Sequence, residues 1–79
     1  MPLACGYDVR VVYTEPEFQR RTPCAPAEYS FTYLGIAARS PEEAVDAALQ
    51  DFWETARLSQ VSWRRRVERV NVQPSRRSV

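Results

Sequence analysis

The chain contains no histidine and no lysine, and it has only two cysteines and two glycines among its 79 residues. Histidine is the side chain that most often serves as a general base near neutral pH, so its absence removes the commonest catalytic groups. Two cysteines offer at most two soft ligands, whereas a structural zinc ion takes about four. We therefore expect no catalytic site, no metal site, no cofactor and no enzymatic activity.

Long apolar runs are missing as well. No stretch reaches the roughly 18 consecutive apolar residues that a membrane-spanning helix needs. The first residues also lack the basic segment followed by an apolar core that marks an export signal. We expect a cytoplasmic protein without a membrane partner, in which Cys5 and Cys24 remain reduced and are simply packed or exposed.

Two segments alternate between apolar and polar residues, as half-buried strands do. A length of 79 residues allows one domain over 1–79 with a single small core. Residues 7–14 and 28–36 both alternate with a period of two, which predicts a pair of antiparallel strands. The aromatic and β-branched positions that share a face in these segments are Tyr7, Val9, Val11 and Tyr13, then Tyr29, Phe31 and Tyr33.

The segment between the two strands is rich in proline. Residues 15–27 contain Pro16, Pro23 and Pro26, with Arg20 and Arg21 between them. Proline has no backbone N–H to donate and opposes both helix interiors and central strands. We expect a long Pro/Arg loop over 15–27.

The clearest local signal is a helix start at Ser40. Ser40 supplies a capping hydroxyl, Pro41 follows where a missing N–H is harmless, and Glu43 completes a capping box. Apolar residues then recur at spacings of three and four, which predicts an amphipathic helix over 41–57. Its apolar stripe consists of Val45, Ala48, Leu49, Phe52 and Ala56.

A third strand is predicted over 61–72. Its apolar residues change phase near Glu68 and Arg69, and a β-bulge would produce that change because one extra residue reverses the alternation. A continuing helix is the competing interpretation, but the β-branched residues oppose it. We expect residues 73–79 to form a flexible tail.

These elements predict an α+β fold. The expected architecture is a three-stranded antiparallel sheet, connected β-β-α-β in the order 2-1-3, with one amphipathic helix packed on one face. The opposite face then has nothing to cover it. If rows of tyrosine or valine line that uncovered face, it is a candidate docking surface, for a partner or for a second copy in a homodimer.

Charge is strongly segregated along the chain. Residues 40–56 carry five acids and no base, whereas residues 57–79 carry seven arginines and one acid. The acidic helix is either an ordinary solvated surface or a set of carboxylates that mimics phosphates and binds a basic groove on another protein. The candidate partner-binding residues there are Glu42, Glu43, Asp46, Asp51 and Glu54, with Trp53 as either a rim residue of the core or a binding anchor.

The basic segment is the second candidate site, for a partner protein or for nucleic acid. Arginines next to a tryptophan are typical of surfaces that bind single-stranded nucleic acid. On a strand, however, successive arginines point to opposite faces, and they are equally suited to protect a sheet edge or to pair with acids of the helix. The residues concerned are Trp63, Arg64, Arg65, Arg66 and Arg69.

The segment from Tyr29 to Val72 combines these features in one order. It has a strand ending at Gly35 to Ala38, the helix start from Ser40 to Glu43, and a closing strand from Trp63 to Val72. This layout resembles small accessory proteins of bacteriophages and mobile elements. It is similar in size and arrangement to anti-CRISPR proteins that block type I interference complexes. The resemblance implies a stoichiometric, non-enzymatic inhibitor of a multisubunit nucleic-acid-guided complex, acting in the cytoplasm of a bacterial host.

We therefore expect a protein-binding module, with an anti-CRISPR inhibitor that blocks DNA binding or nuclease recruitment as the specific hypothesis. The alternative is a small nucleic-acid-binding regulatory protein that uses the arginine-rich C-terminal strand. Salt dependence separates the two, because phosphate contacts make affinity fall steeply as salt rises.

Overall fold

A computed structural model describes residues 5–59 and 64–75 of the chain. Three strands form one antiparallel sheet in the order β2-β1-β3, and one main helix packs on it, which confirms the predicted α+β architecture. The elements in chain order are β1 (Cys5–Thr14), α1 (Pro16–Arg21), β2 (Tyr29–Ala38), α2 (Pro41–Leu58) and β3 (Arg66–Pro74).

The core lies between the sheet and α2. Burial of the apolar stripe of α2 against the tyrosine and valine face of β1 removes these side chains from water, which is the main favourable contribution to the fold. The predicted face of β1 is therefore confirmed, and the predicted helix stripe is confirmed in part: its other members bury or pack against the core, but Ala44 is buried without having been predicted and Ala56 is not among the residues that pack on this cluster. The buried cluster consists of Val9, Val11, Tyr13, Ala38, Ala44, Ala48 and Phe52.

The start of α2 has the predicted Ser40 cap, but among the described residues the Glu43 carboxylate makes no hydrogen bond back to Ser40, so only half of the predicted capping box is formed. The side-chain oxygen of Ser40 accepts a hydrogen bond from the backbone N–H of Glu43 at 3.1 Å. Pro41 occupies the first helical turn, and Glu42 and Glu43 lie at the positive end of the helix dipole. The helix continues to Leu58, one residue beyond the predicted end.

The face of the sheet away from α2 is polar. On this face Arg10 lies directly opposite Thr32 of β2 and Asn71 of β3. Val12 also points to this side and is buried. The condition for a docking surface on this face, rows of tyrosine or valine, is therefore not met among the described residues, because α2 covers that set and leaves the polar set to solvent.

The bulge predicted near Glu68 is present. Val12 pairs with Arg69 and its neighbour Tyr13 pairs with Val67, so Glu68 is an extra residue on β3. This extra residue restores Val67, Val70 and Val72 to the same core-facing side. The phase change in the sequence is therefore a bulge rather than a continuing helix.

A second irregularity lies between β1 and β2, and the sequence did not predict it. Tyr7 pairs with Ile36 and Val9 pairs with Tyr33, so two residues of β2 face Asp8 alone. One of them is Gly35, whose φ of 66° lies in the left-handed region that favours glycine. Its backbone N–H donates a hydrogen bond to Oδ1 of Asp8 at 3.0 Å, which ties the bulge to β1.

The segment expected to be a loop over 15–27 contains the short helix α1. Pro16 occupies the first helical turn, where its missing N–H costs nothing, and Pro23 comes after the helix has ended. Glu17 and Arg21, one turn apart, form an ion pair at 3.2 Å. The prolines therefore bound this helix instead of preventing it.

The third strand begins and ends later than predicted. It starts at Arg66, and it includes Gln73 and Pro74, the first two residues of the tail predicted over 73–79. Pairing with Asp8 and Tyr7 extends the strand that far, and the N–H of Ser75 then donates to the carbonyl of Gly6 at 2.8 Å. The predicted positions 61–63 and 76–79 lie outside the described residues.

Within residues 5–59 and 64–75, neither helix has both the length and the apolar character that a bilayer crossing requires.

Candidate interaction surface

The predicted acidic residues of α2 are all exposed, but they do not form one continuous row. Spacings of four and seven residues are close to whole turns of an α-helix, so Glu42, Asp46 and Trp53 lie along one side of α2. Glu43 and Glu54 lie on the side that faces away from the sheet, and Asp51 lies on the opposite flank. The five carboxylates are Glu42, Glu43, Asp46, Asp51 and Glu54.

Three of these carboxylates have neither an ion pair nor a side-chain hydrogen bond in the described part of the chain. Glu54 accepts a hydrogen bond from Arg57 at 2.6 Å. Asp51 lies beside the hydroxyl of Tyr33, and burial together with this carboxylate raises the pKa of the Tyr33 phenol. We call the remaining set, Glu42, Glu43 and Asp46, the acidic face.

Trp53 adds an apolar group to the same side of the helix. Its side chain is 45 % exposed, although its ring packs edge-on against the buried ring of Phe52 at 5.0 Å. The tryptophan is thus held by the core on one side and is accessible on the other. Large aromatic residues with this combination are preferred anchors of protein interfaces.

Arg65 is not available to a nucleic acid. Its side chain is only 15 % exposed, and its guanidinium lies over the rings of Tyr13 and Phe52, at 5.4 and 5.9 Å from their centroids. Its Nε is 3.6 Å from Oε2 of Glu15, which is within ion-pair range but too long for a hydrogen bond. Nε and Nη1 are buried and donate no hydrogen bond to any group within residues 5–59 and 64–75. Arg65 therefore covers the end of the aromatic core.

The phenol ring of Tyr13, which lies beneath this guanidinium, is affected both by burial and by the positive charge of Arg65. Burial raises the pKa of the Tyr13 phenol, and the positive charge of Arg65 acts in the opposite direction. Tyr13 also stacks on Tyr29 and Phe31, with centroids 5.6 and 5.8 Å away. Arg65 is thus the cationic cover of a cluster of aromatic rings.

Two further arginines of the basic segment are paired with acids. Arg69 donates two parallel hydrogen bonds of 3.2 Å to the carboxylate of Glu28, which raises the pKa of this guanidinium. Arg66 lies 3.2 Å from Glu68, and Thr14 donates a hydrogen bond to that carboxylate at 3.0 Å. Exposed pairs of this kind contribute little to stability, but they reduce the positive charge that the surface presents.

The structure therefore does not assemble the predicted basic site. Arg64 is exposed and forms no ion pair with the described residues, whereas its neighbour Arg65 is turned into the core side. Arg66 and Arg69 belong to β3 and meet different carboxylates. Trp63, the predicted stacking residue, lies outside the described residues.

Sequence reasoning missed Arg10. It lies in a shallow groove of about 300 Å³ on the open sheet face and makes no ion pair within the described part of the chain. The alternation over 7–14 places Arg10 on the polar side of β1, but a single arginine on a strand carries no further signal in the sequence. The other lining residues are Asp8, Thr32, Asn71, Val72 and Gln73.

The net electrostatic result differs from the pattern in the sequence. The sequence suggests a positive surface as strong as the negative one. In the folded chain three of the four clustered arginines are matched by Glu15, Glu28 and Glu68, whereas the acidic face is not matched among the described residues. The negative surface is thus the more available of the two.

No protein-family profile, no curated protein and no solved structure matches this chain.

Proposed function

We propose that this protein is a non-enzymatic protein-binding module that docks through the acidic face onto a basic surface of its partner. The observation that carries the proposal is the contrast in pairing: Arg65, Arg66 and Arg69 are engaged by acids of the same chain, whereas Glu42, Glu43 and Asp46 have no cation to meet among the described residues. Because these three carboxylates are unpaired among the described residues, their oxygens can accept charge-assisted hydrogen bonds from arginine or lysine of another protein.

Trp53 supports a protein as the partner. It lies on the same side of α2 as Glu42 and Asp46, and nearly half of its surface is exposed. An aromatic anchor beside charged groups is the usual composition of an interface hot spot, in which the aromatic group contributes affinity and the charges contribute orientation and association rate.

The same pairing argues against nucleic acid as the ligand. Binding to a phosphate backbone depends on several cations that release counterions together. The exposed arginines without an ion pair among the described residues are spread over the fold: Arg10 on β1, Arg20 on α1, Arg39 after β2 and Arg64 before β3. Arg65, Arg66 and Arg69 would first have to break their ion pairs with Glu15, Glu68 and Glu28 before they could bind phosphate.

We further propose that the partner is a type I CRISPR interference complex in a bacterial cytoplasm, as the resemblance to anti-CRISPR proteins implies. A complex that binds DNA presents arginine and lysine in its binding groove, and a cluster of carboxylates can occupy such a groove in place of phosphates. The chain would then act as a stoichiometric inhibitor that blocks DNA binding or nuclease recruitment.

The test uses a purified type I interference complex and a labelled target duplex in a mobility-shift titration. The wild-type chain should lower DNA binding by the complex. The triple variant Glu42→Gln, Glu43→Gln, Asp46→Asn should need at least about tenfold more protein, since each charge-assisted contact contributes roughly 1.5 kcal/mol.

A matched control carries the same change of charge on paired carboxylates. The variant Glu17→Gln, Glu54→Gln, Glu68→Gln removes acids that already bind Arg21, Arg57 and Arg66, and it should inhibit like the wild type. Equal inhibition by both triple variants would reject the acidic face as the docking surface. A wild-type chain that neither binds nor inhibits the complex would reject this partner.

A further inference from the structure

The sheet has two outer strands, and they differ sharply in character. Over its ten residues β2 carries neither charge nor proline. By contrast, β3 carries Arg66, Glu68 and Arg69, has a bulge at Glu68 and ends at Pro74. Charges, bulges and prolines are the devices by which natural proteins prevent outer strands from pairing with other chains. The β3 edge is therefore protected by all three devices, whereas the β2 edge has only the bulge at Gly35 and no charge or proline.

The outer edge of β2 is accessible in the described part of the chain. Among residues 5–59 and 64–75, β1 is the only strand that pairs with β2, and α2 lies over a face of the sheet rather than over this edge. Two large apolar side chains of β2 are also exposed, Phe31 by 39 % and Leu34 by 54 %. An uncharged strand with exposed apolar residues is a template for a further strand.

We propose that β2 pairs with β2 of a second copy of this chain, in antiparallel orientation, to form a dimer with one continuous sheet. The opposite charges that flank β2 favour a second copy of this chain, in antiparallel orientation, as the partner. Glu28 immediately precedes β2 and Arg39 immediately follows it. In an antiparallel pair, the negative end of each strand lies near the positive end of the other, whereas a parallel pair would bring like charges together.

The charges at these ends are accessible. Arg39 is exposed and forms no ion pair within the described residues. Glu28 binds Arg69 across the sheet, but its side chain is still 45 % exposed and its oxygens can accept further bonds. Because the strand between them is uncharged, two copies meet along it without a like-charge contact.

The symmetry of this dimer has a consequence for the acidic face. The two-fold axis of an antiparallel edge-to-edge pair is perpendicular to the sheet, so both copies of α2 lie on the same side of the joined sheet. Both acidic faces would then be presented on that side. A partner with repeated basic sites could bind both at once, with the gain in avidity that linked sites provide.

The test is the mass of the protein in solution, measured by sedimentation equilibrium over a wide range of concentrations. The wild type should reach twice the chain mass of 9.1 kDa. Thr32→Lys places a charge on the β2 edge and should weaken dimerisation at least about tenfold. Asn71→Lys is the matched control on β3, because Thr32 and Asn71 are both exposed and both lie opposite Arg10. This control should remain dimeric.

Hydrogen exchange provides a second readout that does not depend on the measured mass. The outward-facing amides of β2 should be protected in the wild-type dimer and should exchange fast in Thr32→Lys. A wild type that stays monomeric at every concentration overturns the proposal, as does equal dissociation of both variants. If β2 amides of a monomeric chain become protected only when another protein is added, the edge binds a different partner and the second copy is rejected.

Discussion

At the scale of single residues, neighbouring arginines in this chain have different functions. Arg64 is exposed to solvent, whereas Arg65 covers the rings of Tyr13 and Phe52 and pairs with Glu15. The side-chain carboxylate of Glu15 is only 12 % exposed, so this is the most buried ion pair among the described residues. A run of three arginines in the sequence therefore contains one structural residue.

We predict that Arg65→Ala destabilises the protein by about 2 kcal/mol, because it removes a cation over two rings and leaves a largely buried carboxylate without its cation. The matched variant Arg64→Ala should change stability by less than about 0.5 kcal/mol, since the side chain is exposed. Urea unfolding followed by tryptophan fluorescence measures both.

A third variant separates packing from charge. Arg65→Met keeps most of the apolar stem over the aromatic rings but removes the guanidinium, so its loss of stability should lie between those of the two alanine variants. If the Arg64→Ala and Arg65→Ala variants unfold at the same urea concentration, the claim that Arg65 stabilises the aromatic core is wrong.

At the scale of elements, the bulge in β2 depends on Gly35. Its positive φ costs an L-residue with a Cβ roughly 1–2 kcal/mol. A Cβ added at this position would meet no atom within 4 Å, so backbone strain is the whole expected cost. We predict that Gly35→Ala lowers the free energy of unfolding by this amount.

Gly6→Ala is the control for this prediction. The structure gives Gly6 no positive φ, and a Cβ there would lie 3.4 Å from Cβ of Ser75, an ordinary contact. This variant should be neutral or slightly stabilising, because alanine restricts the unfolded chain more than glycine does. Chemical denaturation of the two variants side by side tests the difference, and equal losses would contradict a special function for Gly35.

The elements with a strong local pattern were predictable from the sequence. The capping residues and the three- and four-residue spacing specify α2, and alternation specifies β1, β2 and the bulge in β3. The short helix α1 was not predictable, because Pro16 favours a loop and a first helical turn alike. The bulge at Gly35 also escaped prediction, since it depends on a long-range hydrogen bond to Asp8.

The candidate site was less predictable than the fold. The sequence identifies which residues carry charge, but it does not show which charges neutralise each other. Glu28 and Arg69 are far apart in the chain and form a two-bond ion pair across the sheet. Glu15 and Arg65 meet at the end of the core. Such pairs depend on strand order and on the side of the sheet that each residue faces, so only the folded chain reveals the imbalance.

At the scale of the whole molecule, folding neutralises the two charge blocks of the sequence to different extents. The clustered arginines are mostly paired among the described residues, whereas the acidic face is not. Among the arginines of the C-terminal block that the structure describes, Arg57, Arg65, Arg66 and Arg69 are paired with carboxylates of the same chain, and Arg64 is not. The acids at the start of α2 remain available, with Trp53 beside them. A net charge of +1 therefore conceals a locally negative surface.

The most direct test of this claim is a pair of NMR titrations of the wild-type chain, one with an oligoarginine peptide and one with single-stranded DNA, at low and at physiological salt. We predict that the peptide shifts the amide resonances of residues 42–46 and the indole resonance of Trp53, and that DNA leaves residues 64–69 unchanged. Salt-sensitive shifts of residues 64–69 with DNA, without any response of residues 42–46 to the peptide, would contradict the claim and identify a nucleic-acid-binding protein instead.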